Sequence, residues 1–428
     1  MKLAVIGANW PNPSGSSRGA NVLVFELVRA LAGQPSLSVA FLKVGRDGEE
    51  EPDDKERAGI ALLEQSGVAI LPPLTLPAAA RTGTALSKLL VPRPEHFFPD
   101  VMHGPAIANA LAKWRADALL VPISEWLTAA CSTVPVTRFA YYGNPDPKSA
   151  RWRVEHDLAL GGSPLAYARL RVALWRMEKA HLEVMRRYHL VGDVAQNDAA
   201  YYSSSGHPNA FYIRHVWIDR VGENWRERRD ATECYDPVVI VGSVGRLEGT
   251  ANRFGLEYLG RELLPALRRR MKPGSYRVEI FGAATLHPRI AEHLTGPDVA
   301  IRGFVPDIDA AILSAPVFLC TNNATPFKVG HTRYLLAWSL GACVVAHRDA
   351  ALSMPEIVDG KNALLGDDAE GLADAIARAA ADRALCRKIG QGGWETYRTL
   401  FRAESVAPEI VERLCAEQAR HRGPGGTQ

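Results

Sequence analysis

The sequence predicts an α/β protein of two Rossmann-like domains, and three observations carry that expectation. At 428 residues, with 47% apolar and 23% charged residues, the chain is long enough to bury two cores and too long for one ordinary domain. Leu3-Ala4-Val5-Ile6-Gly7 and Val238-Val239-Ile240-Val241-Gly242 are both short apolar runs that close on glycine and lead into a turn and a helical pattern, the opening of an α/β nucleotide-binding unit. After each opening, short apolar runs alternate with helical stretches, as buried parallel strands do.

In the first half the initial strand is followed by a loop rich in Pro, Ser and Gly from Trp10 to Gly19. A helix then sets Val22, Phe25, Leu27, Val28 and Leu31 on one side. Leu37 to Val44, Val68 to Leu71, Ala118 to Pro122 and Val136 to Tyr142 read as further strands. Leu165 to His189 is a long helical segment carrying Arg169, Arg171, Arg176, Lys179, Arg186 and Arg187, with Leu170, Leu174, Met177, His181 and Met185 at helical spacing. It reads either as a solvated helix with a core-facing stripe or as a basic surface that rests on anionic headgroups.

Between Asp219 and Asp236 the pattern turns polar, which marks an interdomain linker. In the second half Val278 to Gly282, Val299 to Gly303, Ala315 to Cys320 and Ala342 to His347 continue as strands. Asp368 caps a helix whose apolar face is Leu372, Ala375, Ile376, Ala379 and Ala380. The expected domains are residues 1–218 and 236–395, with a helix over 396–422 returning toward the first domain and a disordered tail from Gly423.

Composition excludes several classes. A net charge of +3 with a pI near 8.5 and no basic-aromatic reader motif argue against nucleic acid as a partner. The six cysteines show neither a C-x-x-C pair nor metal spacing, and the twelve histidines show none either, so no metal is expected and a reducing compartment fits. The start is too short for a secretory segment and no apolar run spans a bilayer. The expected location is cytoplasmic, with any membrane contact peripheral and at the inner face.

The strongest motif signal lies in the second half: Gly303-Phe304-Val305-Pro306-Asp307, then Arg333 to Ala346, then Met354-Pro355-Glu356-Ile357-Val358-Asp359-Gly360-Lys361-Asn362-Ala363-Leu364-Leu365. In order and spacing these resemble the donor-binding half of family-4 glycosyltransferases, with its "A-x-x-G-x-P-V-V" and "E-I-V-x-D-G-x-N-G-x-L-x" segments. The resemblance covers most of Val238 to Phe401, and the first half only in element order. It implies a GT-B fold of two domains facing across a cleft, and an enzyme that moves a sugar from a nucleotide diphosphate sugar to an acceptor. It further implies retention of configuration, no metal or other cofactor, and a setting in cell-surface polysaccharide or glycolipid synthesis, with a carbohydrate or lipid-linked acceptor.

Physical reasoning points the same way. Breaking an anomeric C–O bond leaves charge on a diphosphate, which calls for cations and backbone N–H groups where that charge grows. Three places offer them: Gly15 to Gly19, the turn Gly242-Ser243-Val244-Gly245-Arg246, and the helix start Gly330-His331-Thr332-Arg333. The resemblance makes Arg246 and Arg333 the diphosphate cations, puts Arg253 near a family lysine, and sets Val305 and Glu356 on the donor side. Where the family has a pair of glutamates, this chain has Lys328 and Leu336. Lys328 then meets an acidic sugar or a phosphate, or is an ordinary exposed lysine, and Glu356 ties down its loop. Tyr142, Asn144 and Asp146, at a strand end, are acceptor-side candidates, and the resemblance, which has His-Gly or His-Asp at this place, makes Asn144 a catalytic candidate; turn chemistry alone also explains Gly143-Asn144-Pro145-Asp146.

Other motifs carry less. Gly15-Ser16-Ser17-Arg18-Gly19 has the letters of a nucleophile elbow but does not follow directly on a strand. Asp307-Ile308-Asp309 has the letters of a metal-binding D-x-D, but Asp307 stands where a helix cap belongs. No dinucleotide fingerprint or P-loop occurs. Two further readings stay open: a GT-B subunit without chemistry that binds or activates another transferase, which the missing glutamates favour, and a nucleotide-sugar epimerase.

Overall fold

The computed structural model describes residues 1–13, 20–46, 51–80, 93–283, 285–324, 328 and 331–422. They form two units. One comprises Met1–Ile218 with Ala403–Gln428, the other Asp219–Arg402.

In the first unit the strands are β1 (Lys2–Gly7), β2 (Ser38–Arg46), β3 (Ala69–Ile70), β4 (Leu74–Leu76), β5 (Ala118–Pro122), β6 (Thr137–Tyr142), β7 (Leu190–Asp193) and β8 (Ala210–Tyr212). They make one parallel sheet in the order β3-β2-β1-β5-β6-β7-β8, with β4 also paired to β2. Side chains alternate across a strand. Leu3 and Val5 accordingly enter a core shared with Phe25, Val28 and Leu31, while Ala4 and Ile6 face a second core with Leu42, Leu119 and Tyr142. Both faces are covered by helices, which is why β1 and β5 are apolar along their length.

The helix Ala403–Arg422 packs Val406, Ala407, Ile410 and Leu414 into the first of these cores, against Leu27 and Leu31. Its partner, the helix Ala20–Ala32, supplies that apolar stripe.

The second unit holds β9 (Val238–Ser243), β10 (Tyr276–Phe281), β11 (Val299–Gly303), β12 (Val317–Cys320), β13 (Cys343–His347) and β14 (Leu364–Gly366), all parallel, in the order β11-β10-β9-β12-β13-β14. Ile240, Val241, Val317, Phe318, Val344 and Val345 are buried in it.

The polar segment expected to be a linker is part of this unit. Trp225 is buried beside Trp394, and the guanidinium of Arg229 donates to the carbonyls of Ile312, Ala315 and Leu340 while pairing with Glu233. A short helix, Trp225–Thr232, carries them. Charge density misled the reading because one arginine and one tryptophan of the run are core residues. At the other boundary the helix Arg383–Leu400 stays with the second unit, so the division falls at residue 402 rather than 395.

The expected caps are present. Asp368 accepts from the Gly371 amide at 2.8 Å, and Asp307 from the Ala310 amide at 2.9 Å. Asp309 pairs with Arg220 at 2.7 Å.

Candidate functional site

In an open parallel sheet, ligands sit at the carboxyl ends of the strands where successive connections leave in opposite directions. In the first sheet that point lies between β1 and β5, because β1 is flanked by β2 and β5. A cavity of about 770 Å³ opens there, lined by Gly7 at the end of β1 and Asn9 beyond it, Ile123 to Trp126 after β5, Arg46 at the end of β2, and Asp100, Asp146 and Arg153.

Two residues at these strand ends have left-handed backbones, Ile123 (φ 42°) and Asn144 (φ 46°). A β-branched residue there is strained. Each stands two positions before a helix, so that Glu125 opens the helix Glu125–Cys131 and Asp146 opens the helix Asp146–Ala159. Both carboxylates line the cavity. Asn144 itself is exposed and supplies the turn, the role that local chemistry alone predicts for it.

Tyr142 does not face the cavity as an acceptor-side residue would. It is 2% exposed, packed against His181 and Tyr202, because β6 points it into the second core. Its hydroxyl donates to Asp146 Oδ2 at 2.9 Å. Oδ1 of Asp146 has no hydrogen-bond donor among the described residues. Burial, reinforced by the nearby Glu125 carboxylate and opposed by the tyrosine hydrogen bond, pushes the Asp146 carboxyl up to about 8. Arg46 does not relieve it. Its guanidinium donates to both oxygens of Asp100, at 3.0 and 3.1 Å, and lies over Trp126.

In the second sheet the corresponding point lies between β9 and β12. β9 runs out into Ser243-Val244-Gly245-Arg246. Gly245 has φ 107°, and the end of β10 approaches so closely that a Cβ on Gly282 would lie 1.8 Å from the Gly245 carbonyl oxygen. Asn252, on the helix Thr250–Tyr258, holds the turn from below: Nδ2 donates to the Arg246 carbonyl at 2.6 Å, and Oδ1 accepts from Ser243 Oγ at 3.5 Å.

From the far side of the point, the helix His331–Ser339 sends in Arg333. Its Nε donates to the Val244 carbonyl at 3.3 Å and its Nη2 to Asn252 Oδ1. Among the described residues no carboxylate pairs with it. Desolvation lowers its pKa, yet a guanidinium stays charged at neutral pH. A half-buried cation beside a glycine turn is an arrangement whose chemistry suits an anion.

The remaining sequence candidates fall as follows. The Arg246 backbone belongs to the turn, but its side chain is 81% exposed, with Nε 3.1 Å from Glu248 Oε1. A neighbouring carboxylate two positions on holds it outside, so Arg246 and Arg333 do not converge as side chains. Lys328 is neither free nor fully exposed: Nζ donates to Asp349 and to the Asn323 carbonyl at 3.0 Å. Leu336 is buried in the core. Thr332 is exposed on the first turn of its helix, and Arg253 follows Asn252, half-buried. Val305 is half-buried next to Phe304, which is 75% exposed. Glu356 contributes its carbonyl to a loop tied by Asn362, whose side chain bonds Glu356 O, the Val358 amide and Thr396 Oγ1. Gly15, Gly19 and Gly330 lie outside the described residues, as does the side chain of His331.

Three residues at these two places were not singled out from the sequence: Glu125, Arg46 and Asn252. Glu125 and Asn252 each sit within the first turn of the helix that follows a strand leading into the point of reversal, and that position was the available signal.

Residues 238–382 match the model of glycosyl transferases group 1. No curated protein matches the chain. Among solved structures, HepE from Anabaena in complex with UDP is 18% identical, with a TM-score of 0.56, covering 97% of this chain and 100% of its own. Sucrose-phosphate synthase from Thermosynechococcus elongatus is 17% identical with a TM-score of 0.59, covering 98% and 100%. The N-terminal domain of trehalose-6-phosphate phosphatase from Candida albicans is 11% identical with a TM-score of 0.62, covering 98% and 99%. These likenesses show the GT-B fold.

Proposed function

We propose, starting from a chain of the glycosyltransferase class whose residues 238–382 are a glycosyl transferases group 1 domain, that the second unit holds the diphosphate of a nucleotide sugar on Arg333 and the Val244–Gly245 turn, while the first unit takes the acceptor in its cavity. The observation that carries this is Arg333: a half-buried guanidinium anchored to Val244 O and Asn252 at the end of β9, with no carboxylate paired to it among the described residues. As the anomeric C–O bond breaks, charge gathers on the departing diphosphate. A cation already fixed beside it lowers the barrier without reorganising. Phe304, exposed at the end of β11, offers a face on which a nucleobase stacks. HepE is described in complex with UDP and with UDP-glucose, which supports a uridine diphosphate sugar as the first donor to test.

Retention of configuration without a metal belongs to the same proposal. The anomeric coupling constant of the product and turnover in excess chelator decide both.

The helix Pro164–Arg186 adds a location. Its first three turns are exposed nearly all round, with Leu165, Leu170, Val172 and Trp175 between 45% and 63% exposed. Leu165, Val172 and Trp175 share a face with Arg169, Arg176 and Lys179, since residues three, four and seven apart lie together on a helix. Among the described residues no helix is long and apolar enough to cross a membrane. This face is proposed to rest on an anionic leaflet, where each basic residue contributes about 1 kcal/mol, and to bring a lipid-linked or polysaccharide acceptor to a cytoplasmic enzyme. Vesicles rich in phosphatidylglycerol should sediment with the protein and neutral vesicles should not; Leu165→Ser with Trp175→Ala should weaken the interaction about tenfold. Equal binding to both kinds of vesicle would remove the membrane from the proposal.

A second reading, a GT-B subunit that binds without transferring, is favoured by Lys328 and Leu336 where the family has glutamates. Release of nucleotide diphosphate from a nucleotide sugar by the purified protein excludes it.

A further inference from the structure

We infer that Asn252 is a positioning residue for the anion site of the second unit: its uncharged amide fixes Arg333 against the Ser243–Arg246 turn while leaving the guanidinium's charge to a phosphate ligand. The inference rests on the reading of Arg333 as the cation that meets the diphosphate.

Asn252 is 5% exposed and stands third in the helix Thr250–Tyr258. Three stretches of the chain meet on its side chain. Nδ2 donates to the Arg246 carbonyl at 2.6 Å, and Oδ1 accepts from Ser243 Oγ at 3.5 Å and from Arg333 Nη2. The arrangement runs one way only. A carbonyl oxygen accepts and a guanidinium donates, so the group between them must offer a donor at one end and an acceptor at the other. An amide does both. A carboxylate would set an acceptor against the Arg246 carbonyl, and an apolar side chain would leave both neighbours without this partner.

Charge separates this anchor from those of other arginines in the unit. Arg229, Arg268 and Arg302 each pair with a carboxylate, on Glu233, Asp298 and Glu279 respectively. Such charge-assisted bonds are the stronger kind, but they also neutralise the cation. Arg333 instead holds the Val244 carbonyl at 3.3 Å and the Asn252 amide, both neutral. The titratable groups that act on it are Cys320 and Tyr334, and burial keeps both protonated. These partners are all uncharged, so the site keeps its positive charge at a fixed place. A phosphate can then take the guanidinium N–H groups that Val244 and Asn252 leave over.

The experiment is calorimetric titration of UDP, GDP, ADP and inorganic pyrophosphate into the full chain, into Asn252→Asp and into Asn252→Ala, with the melting transition of each protein read beside it. Asn252→Asp keeps the volume and the bond to Arg333 but supplies a counter-charge. Asn252→Ala removes the anchor and leaves the charge. For whichever ligand binds, affinity should fall tenfold or more in Asn252→Asp and by less in Asn252→Ala, while Asn252→Ala melts lower than Asn252→Asp. A merely structural asparagine gives the other order, because affinity then follows the loss of hydrogen bonds. Added salt should weaken binding to the unaltered protein more than binding to Asn252→Asp.

Unchanged affinity in Asn252→Asp, an affinity in Asn252→Ala below that of Asn252→Asp, or failure of Asn252→Asp to fold where Asn252→Ala folds overturns the inference. If nucleoside diphosphates bind under any of these outcomes and weaken in Arg333→Ala, the diphosphate reading stands without it. If pyrophosphate alone binds, with the order given above, Asn252 keeps its role and the nucleotide reading fails. Binding of none of the four ligands removes both.

Discussion

Arg333→Ala should lower transfer turnover by on the order of a hundredfold to a thousandfold, the loss typical when one fixed charge-stabilising group is removed from a site where charge develops. The expectation follows from placement. Arg333 is anchored by two acceptors on its own unit, Val244 O and Asn252 Oδ1, so its position is set before any ligand arrives, and pre-organisation is what makes the interaction strong. Both kcat and kcat/KM should fall if the contact strengthens as the diphosphate departs, whereas a rise in KM alone would mark uniform binding. Arg333→Lys should recover only part of the loss, because an ammonium cannot hold Val244 O and Asn252 while also presenting a fork to a phosphate. Arg246→Ala, removing a guanidinium that is 81% exposed and paired with Glu248, should change turnover several-fold at most. Steady-state rates with UDP-glucose, or with whichever donor releases its diphosphate, check all three.

Trp338→Ala should be the most destabilising single truncation in the second unit. Trp338 is fully buried, seven residues along the helix that begins at His331 and carries Arg333. Its ring packs against Tyr334 and Phe401, and Nε1 donates to the Asn362 carbonyl at 2.9 Å. The helix Arg383–Leu400 approaches so closely that a Cβ on Gly393 would sit 2.3 Å from the indole, which leaves the surrounding structure little room to collapse into the vacancy. Truncations of this kind cost about 3–5 kcal/mol, and the orphaned carbonyl adds to that. For a unit of this size the melting transition should move down by about 10 °C or more. Trp338→Phe, which keeps most of the volume and loses the hydrogen bond, should fall between. Differential scanning calorimetry reads both. An unchanged transition in Trp338→Ala would mean that this helix is held by something other than its indole.

Much of the fold was legible because parallel strands buried on both faces must be apolar throughout. β1, β5, β9 and β12 announce themselves that way, and the two glycine-closed openings mark the first strand of each unit's sheet. The caps at Asp307 and Asp368 were readable for a similarly local reason: a carboxylate bonding an amide three residues on depends on nothing distant. What was not legible depends on partners far along the chain. Trp225 and Arg229 look like linker residues until the carbonyls of Ile312, Ala315 and Leu340 are placed beside them. Lys328 looks available until Asp349 meets it, and Tyr142 looks like a strand-end candidate until alternation along β6 turns it inward. Asn252 carries no motif, since its place comes from standing opposite Arg333 across the point between β9 and β12 where connections diverge. The resemblance singles out Arg333, while its anchoring depends on Val244 and Asn252, distant along the chain.

Calorimetric titration of UDP, GDP and ADP into the intact protein and into Arg333→Ala tests the central claim most directly. The account predicts that at least one of the three binds at a single site and that its affinity drops tenfold or more in the variant, with the fold intact by circular dichroism. Equal affinity in the two proteins, or no binding of any nucleoside diphosphate to either, would contradict it.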